Sequence, residues 1–306
     1  MPLAEAYRKQ VAQLIRILPL VAKETVFALK GGTAINLFLR DMPRLSVDID
    51  LTYLPVKDRT SSLQEIDAAM NRLATVIAQG IRGTKVNASG PKSEKVTTKL
   101  IVQSQDAQIK IEVTPVLRGC VYEPKTMSVT ARVEEQFGFA EMPVVSFPDL
   151  YAGKLVAALD RQHPRDLFDV RDLLANEGVD DKLRKAFIVY LVSHDRPMSE
   201  VLAPPRLDIS AEYKRGFEGM VDREVSLNEL LKTREALIKE IVGNMPENHK
   251  QFLISLKRGE PDWSLLGLPA ARDLPAVRWK LENLAKLSAV KRADLLKRLN
   301  AALGVE

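Results

Sequence analysis

The residue types able to do chemistry gather first in the stretch Lys30–Asp50, KGGTAINLFLRDMPRLSVDID. Gly31, Gly32 and Thr33 open a short amphipathic segment. Backbone N–H groups at a helix start can hold a phosphate oxygen, glycines permit close approach, and a threonine can add its hydroxyl. After a turn over Pro43–Ser46, Asp48 and Asp50 alternate with Val47, Ile49 and Leu51. Alternate strand residues share a face, so both carboxylates should point the same way, about 6–7 Å apart by the rise per residue. Hard oxygen donors so placed suit Mg²⁺ ions bridged by a triphosphate. Each half has a plain structural alternative: a glycine pair is often only a turn, and Asp-x-Asp on an edge strand is often only solvated.

Two further stretches offer partners. Ala107–Thr114 alternates Ile109, Ile111 and Val113 against Gln108, Lys110 and Glu112. If that strand lies beside the Asp48–Asp50 strand, Glu112 is a third carboxylate, able to orient and deprotonate an attacking hydroxyl in two-metal phosphoryl transfer. Otherwise Lys110 and Glu112 are a surface pair. Phe147-Pro148-Asp149 reads as a helix start, followed by Lys154, Ala157, Ala158 and Arg161 close on one face. A long cation on that helix could neutralise charge building on phosphate oxygens, and Lys154 is the candidate. Beyond the Pro164 turn come Arg165 and Asp166. Asp166 either caps the next helix or holds Lys154 or Arg44 in place; capping plus a surface salt bridge is the structural alternative for Asp166 and Asp169. His163 reads as a turn residue.

The elements that must position these groups follow from periodicity and turn signals. A helix is expected over 3–28, with Leu3, Tyr7, Val11, Leu14, Leu18 and Val21 near one face and a break or kink around Pro19. Thr25–Leu29 should be a buried strand delivering the chain to the glycines. A helix over 60–80 should start at Ser61 or Ser62, with Glu65 completing a capping box. Turns at 82–85 and 90–95 flank short strands, and strands over 99–104 and 107–114 are joined at Gln105–Asp106. From 173 onward the pattern is mostly helical: 180–192, then 226–243, 247–258 and a last helix over 275–303, with a linker at Ala203–Arg206. That last helix sets Arg278, Lys280, Lys286, Lys291, Arg292, Lys297 and Arg298 opposite its leucines, a face that can track an RNA backbone or be merely solvated.

At 306 residues and 46% hydrophobic, the chain can bury one large core or two ordinary ones. A single cysteine, Cys120, excludes an internal disulfide, and three histidines exclude a Cys/His zinc framework, so any metal is held by oxygen. No apolar run approaches the roughly 20 residues of a membrane span, which makes a soluble protein of the reducing cytoplasm the expectation. The net charge of +5 tilts mildly toward an anionic partner such as RNA or nucleotide.

The glycine-opened helix, Arg44-Leu-Ser-Val-Asp48-Ile-Asp50 and Ile-Lys-Ile-Glu112 together resemble the polymerase-β-like minimal nucleotidyltransferases. More closely, KGGTAINLF followed by PRLSVDIDL resembles the AbiEii/AbiGii family, the toxin components of bacterial abortive-infection and toxin–antitoxin systems. That family's second block, a helix with lysine, alanine and arginine followed by Arg-Asp-Leu-aromatic-Asp, is filled throughout by Lys154, Ala157, Arg161 and Arg165-Asp166-Leu-Phe-Asp169. The resemblance spans most of 26–172. It implies an α/β (α+β) nucleotidyltransferase lobe with a small mixed sheet over 1–147, then a mostly helical lobe over 148–306 contributing the second active-site block. It also implies an RNA acceptor, most plausibly the 3′ end of tRNA, and a cognate antitoxin, typically a winged-helix protein encoded nearby. Glu112 departs from the aspartate usual among related enzymes, which alters its coordination distance.

The expected activity is metal-dependent transfer of a nucleoside monophosphate from NTP to RNA, with Mg²⁺, or alternatively Mn²⁺, as cofactor. Asp48, Asp50 and Glu112 would hold the metal and, with Lys154 and Asp166, form the catalytic set. Lys30, Gly31, Gly32, Thr33, Ser46 and Arg165 would bind nucleotide. Alternatives are nucleotidylation of a small molecule or protein, and a module that holds NTP or RNA without chemistry.

Overall fold

The computed structural model describes residues 5–91 and 94–305; Leu3, Lys92 and Ser93 lie outside them. The chain divides into two compact units. One comprises 1–146 together with Gly219–Glu224, the other 147–218 with 225–306.

The first unit is built on a seven-stranded mixed sheet of order β3-β4-β5-β2-β1-β7-β6. Its strands are β1 (Phe27–Lys30), β2 (Ile49–Tyr53), β3 (Lys85–Ser89), β4 (Lys99–Gln103), β5 (Gln108–Arg118), β6 (Lys125–Ser128) and β7 (Glu141–Val144). Alternation produces one apolar face. Leu29, Ile49, Leu51, Leu100, Val102, Ile109, Ile111, Val113 and Val144 are all buried. Helices Glu5–Val21 and Arg59–Gly80 pack on the sheet and on one another through residues such as Val11, Leu14, Leu18, Ile66, Met70 and Leu73. Removing that much hydrocarbon from water is what holds the sheet flat against its helices.

Several boundaries differ from the sequence pattern. The first helix carries Pro19 in its last turn and ends at Val21 rather than near 28. Helix Arg59–Gly80 is capped by Asp58, which accepts from the Ser61 N–H at 2.9 Å; Ser62 is buried instead and Glu65 accepts from Tyr53 and Lys57. β2 begins at Ile49, which leaves Asp48 in the connection just ahead of it.

The second unit is helical. Helix Phe147–Arg161 packs on helices Pro164–Asn176 and Asp181–Ser193, and helices Leu227–Ile238, Glu247–Arg258 and Ala289–Leu303 follow. Their starts are written in the sequence: His163, Asp180, Ser226 and Ser288 each accept from a backbone N–H of the first turn. The expected helix over 275–303 is two, Pro275–Ala285 and Ala289–Leu303, because Ser288 caps the second. Its basic face is partly spent internally: Lys280 donates to the His194 and Arg196 carbonyls, Arg292 to those of Arg258 and Leu284, and Arg298 pairs with Asp294. Among the described residues, no helix is long and apolar enough to cross a membrane.

Candidate active site

On the polar face of the sheet, register aligns four charged residues into one row. Lys30 of β1 stands opposite Asp50 of β2, Asp50 opposite Glu112 of β5, and Glu112 opposite Lys99 of β4. Directly paired residues project to the same face. The parallel pairing of β2 with β5 is therefore what brings Glu112 to Asp50. Asp48 reaches the same group from its position just before β2. The Lys110 ammonium lies 3.0 Å from Glu112 Oε2 and 3.7 Å from Asp48 Oδ2. The Asp48 and Glu112 side chains are 47% and 44% exposed, so both remain reachable from solvent.

Charge and burial compete within this row. Burial pushes the Asp50 carboxyl above the usual carboxylate range, opposed by Lys30 and Lys110. Burial likewise pulls the Lys30 ammonium below its ordinary value, with Asp50 acting against the shift. For Lys110 burial also works downward, but Glu112, Asp48 and Asp50 outweigh it and hold the ammonium above its usual range. Lys30 also donates to Thr114 Oγ1 at 3.4 Å.

The glycine pair makes room for this group. Gly31 has φ +78°, and a Cβ built there would stand 2.6 Å from Asp50 Oδ2. A Cβ on Gly32 would stand 2.7 Å from Ser46 Oγ and 2.8 Å from an Arg44 guanidinium nitrogen. Both positions are therefore closed to a side chain by the site itself, and Gly31 additionally by its left-handed backbone. After Gly31–Ala34 the helix widens into a π turn over Ile35–Leu39, and Asn36 Nδ2 donates back to the Gly32 carbonyl at 2.8 Å.

Thr33, expected as a phosphate donor, meets acceptors of the protein itself. It is buried, its hydroxyl donates to the Asp48 main-chain carbonyl at 2.5 Å and lies 3.2 Å from Ser46 Oγ. A hydroxyl has one hydrogen. That hydrogen braces the Asp48 connection. A feature absent from the sequence reading is the strap Gly219–Glu224. Arg44 forms a β-bridge with Val221, the Leu45 N–H donates to the Met220 carbonyl, and the Asp222 N–H donates to the Pro43 carbonyl. Arg132 anchors the strap further through Asp222 at 2.8 Å. A strap so far along the chain leaves no local signal near Arg44.

Among the described residues, no three His, Cys, Asp or Glu side chains converge closely enough to ligate one ion as they stand. The Lys110 ammonium is the cation between Asp48 and Glu112. The donor chemistry nonetheless fits a hard divalent ion: Mg²⁺ is ordinarily held by one or two carboxylates, with waters and substrate phosphates supplying the rest.

The second block forms its own cluster in the helical unit. Lys154 Nζ lies 2.8 Å from Asp166 Oδ1 and 3.0 Å from Asp169 Oδ2, and Arg161 Nε donates to Asp166 Oδ2 at 2.6 Å. Burial alone would raise the Asp166 carboxyl, but Lys154 and Arg161 outweigh it and hold it far below the ordinary carboxylate range. Of the readings open for Asp166, the structure realises the one in which it holds Lys154. The pair is buried rather than a surface bridge, and Asp169 is its second carboxylate. The spacing of Asp166 and Asp169, one helical turn apart, is the sequence signal for that second contact. Arg165 sits at the helix start, where its N–H donates to His163 Nδ1 at 3.1 Å; His163 is thus a cap rather than only a turn residue.

The family described as "Nucleotidyl transferase AbiEii toxin, Type IV TA system" matches residues 13–283. Among solved structures, the fold is similar to that of MenT4, a nucleotidyltransferase toxin from Mycobacterium tuberculosis H37Rv, with a TM-score of 0.63 at 15% identity over 93% of this chain and 95% of that one. No curated protein matches the sequence.

Proposed function

This chain belongs to the AbiEii family of nucleotidyltransferase toxins of type IV toxin–antitoxin systems, and from that premise we propose that it transfers a nucleoside monophosphate from NTP to the 3′ end of tRNA. The observation that carries the site assignment is the alignment of Asp50 with Glu112 across β2 and β5, with Asp48 beside them. A divalent cation on these carboxylates, Mg²⁺ or alternatively Mn²⁺, would supply neutralising charge for the triphosphate and for the attacking oxygen.

The chain's own residues do the remaining work. Gly31 and Gly32 allow phosphate oxygens to approach the backbone, with Lys30 beside them as a cation. Thr33 fixes the Asp48 connection, and Ser46 lies against Gly32 at the edge of the same group. The acceptor hydroxyl oxygen attacks the α-phosphorus, a new P–O bond forms, and the bond to the bridging oxygen breaks to release pyrophosphate. Glu112 takes the hydroxyl proton in this reading. Lys154, Asp166 and Arg165 carry the family's second motif, and we assign them to the same reaction, with Lys154 steadying phosphate charge and Asp166 holding it. The family implies an antitoxin partner; we propose the winged-helix type.

The test is incubation with total RNA, each labelled NTP in turn and Mg²⁺, for the wild type and for Asp48→Ala. Label is expected in the tRNA band and absent with the variant, which should also lose growth inhibition. Label in protein with none in tRNA would replace the acceptor. A folded Asp48→Ala protein that remains fully toxic would remove the site assignment.

A further inference from the structure

Lys110 has no part in the reaction as described above, yet it occupies the centre of the carboxylate group. Strand alternation puts it two residues before Glu112 on the same face, and its cross-strand neighbour in β4 is Ile101, which offers no polar atom. Its ammonium turns instead to Glu112 at 3.0 Å and Asp48 at 3.7 Å. Here one cation spans two carboxylates that the reaction would need for a divalent ion, and a third, Asp50, adds its field. Two cations cannot share those oxygens without strong repulsion.

We propose that Lys110 is a built-in counter-cation that competes with divalent metal for Asp48 and Glu112 and, once displaced by it, pairs with the substrate triphosphate. The inference rests on the reading of this site as a metal-dependent nucleotidyltransferase centre. In the nucleotide-free protein the ammonium keeps two exposed carboxylates together without a bound ion. When nucleotide arrives with its ion, the freed ammonium stands beside several negative phosphate oxygens. Metal binding is thereby strengthened by nucleotide, since only the triphosphate offers the displaced ammonium a new partner.

The test measures Mn²⁺ binding by the loss of its free-ion EPR signal, without nucleotide, for the wild type, K110Q, K110M, K110R and D48N. Binding of a fluorescent NTP analogue in the presence of Mn²⁺ is measured in parallel, and thermal melts verify folding. K110Q and K110M are expected to bind Mn²⁺ about tenfold tighter than wild type, the scale of removing a unit charge a few ångströms from a divalent ion. Both should bind the analogue more weakly, and K110R should stay near wild type in both measurements. D48N should lose Mn²⁺ binding. Unchanged or weaker Mn²⁺ binding by K110Q and K110M, with D48N still defective, would overturn the role of Lys110 and leave the site reading intact. Mn²⁺ binding by D48N equal to wild type would overturn the site reading itself.

Discussion

Lys154→Met tests whether the second charged cluster is a brace as well as a participant in chemistry. The Lys154 side chain is 8% exposed, and Asp166 and Asp169 are 2% and 1% exposed, each within 3.0 Å of its ammonium. Methionine keeps the volume of the aliphatic stem, so the loss is chiefly electrostatic. Two carboxylates are then left in a nearly dry site with one fewer cation; Arg161 still holds Asp166 at 2.6 Å. Removing one partner of a buried pair costs about 3–5 kcal/mol. At about 2–4 °C per kcal/mol for a domain of this size, the melting temperature should fall by about 6–20 °C. Lys154→Met/Asp169→Asn should recover part of that loss, because one uncompensated charge is gone. Calorimetry and urea titration at pH 7 measure both, with NTP incorporation assayed below the lowered melting point. A single variant melting within about 2 °C of wild type would refute the bracing role. If it also lost incorporation, Lys154 would act on substrate alone.

Gly31→Ala should lower stability by about 1–3 kcal/mol through its left-handed backbone, and should lower incorporation on the order of 100-fold by displacing Asp50, whose oxygen stands 2.6 Å from the new methyl position; an alanine variant with full activity would show that Asp50 need not sit where it does. Asp166 predicts an acid limb: its native pKa is depressed, so its contribution is present above the unfolded value of about 3.9 and is lost as pH falls toward the native one. The gap in urea midpoint between wild type and Asp166→Asn should therefore be widest near neutral pH and close below about pH 4, and a gap independent of pH would contradict the assignment.

Much of the site was legible because it is written in strand alternation. Ile109, Ile111 and Val113 against Lys110 and Glu112, and Ile49 and Leu51 against Asp50, declare which side chains share a face. The glycine pair was legible as a place of close approach, and Asp50, Ser46 and the Arg44 guanidinium stand where its Cβ atoms would. The contact of the Thr33 hydroxyl with the Asp48 carbonyl was not legible, because hydroxyl chemistry does not reveal which acceptor lies nearest. Lys110 was visible only as a neighbour of Glu112, since its second contact, Asp48, comes from the connection ahead of β2. The final helix read as continuous because its leucines keep helical spacing through the break that Ser288 caps.

The sequence by itself determined the facing of Asp50, Glu112 and Lys110, the glycines at the turn, the capped helices and the family to which these patterns belong. Those are local properties: side-chain direction follows from backbone geometry within a few residues. Tertiary structure alone decided that β5 lies parallel to β2 in the register that sets Glu112 against Asp50, that Gly219–Glu224 returns to clasp Arg44, and that Asp169 joins Asp166 around Lys154. Pairing partners are chosen by burying every apolar face at once, and no stretch of sequence contains that sum.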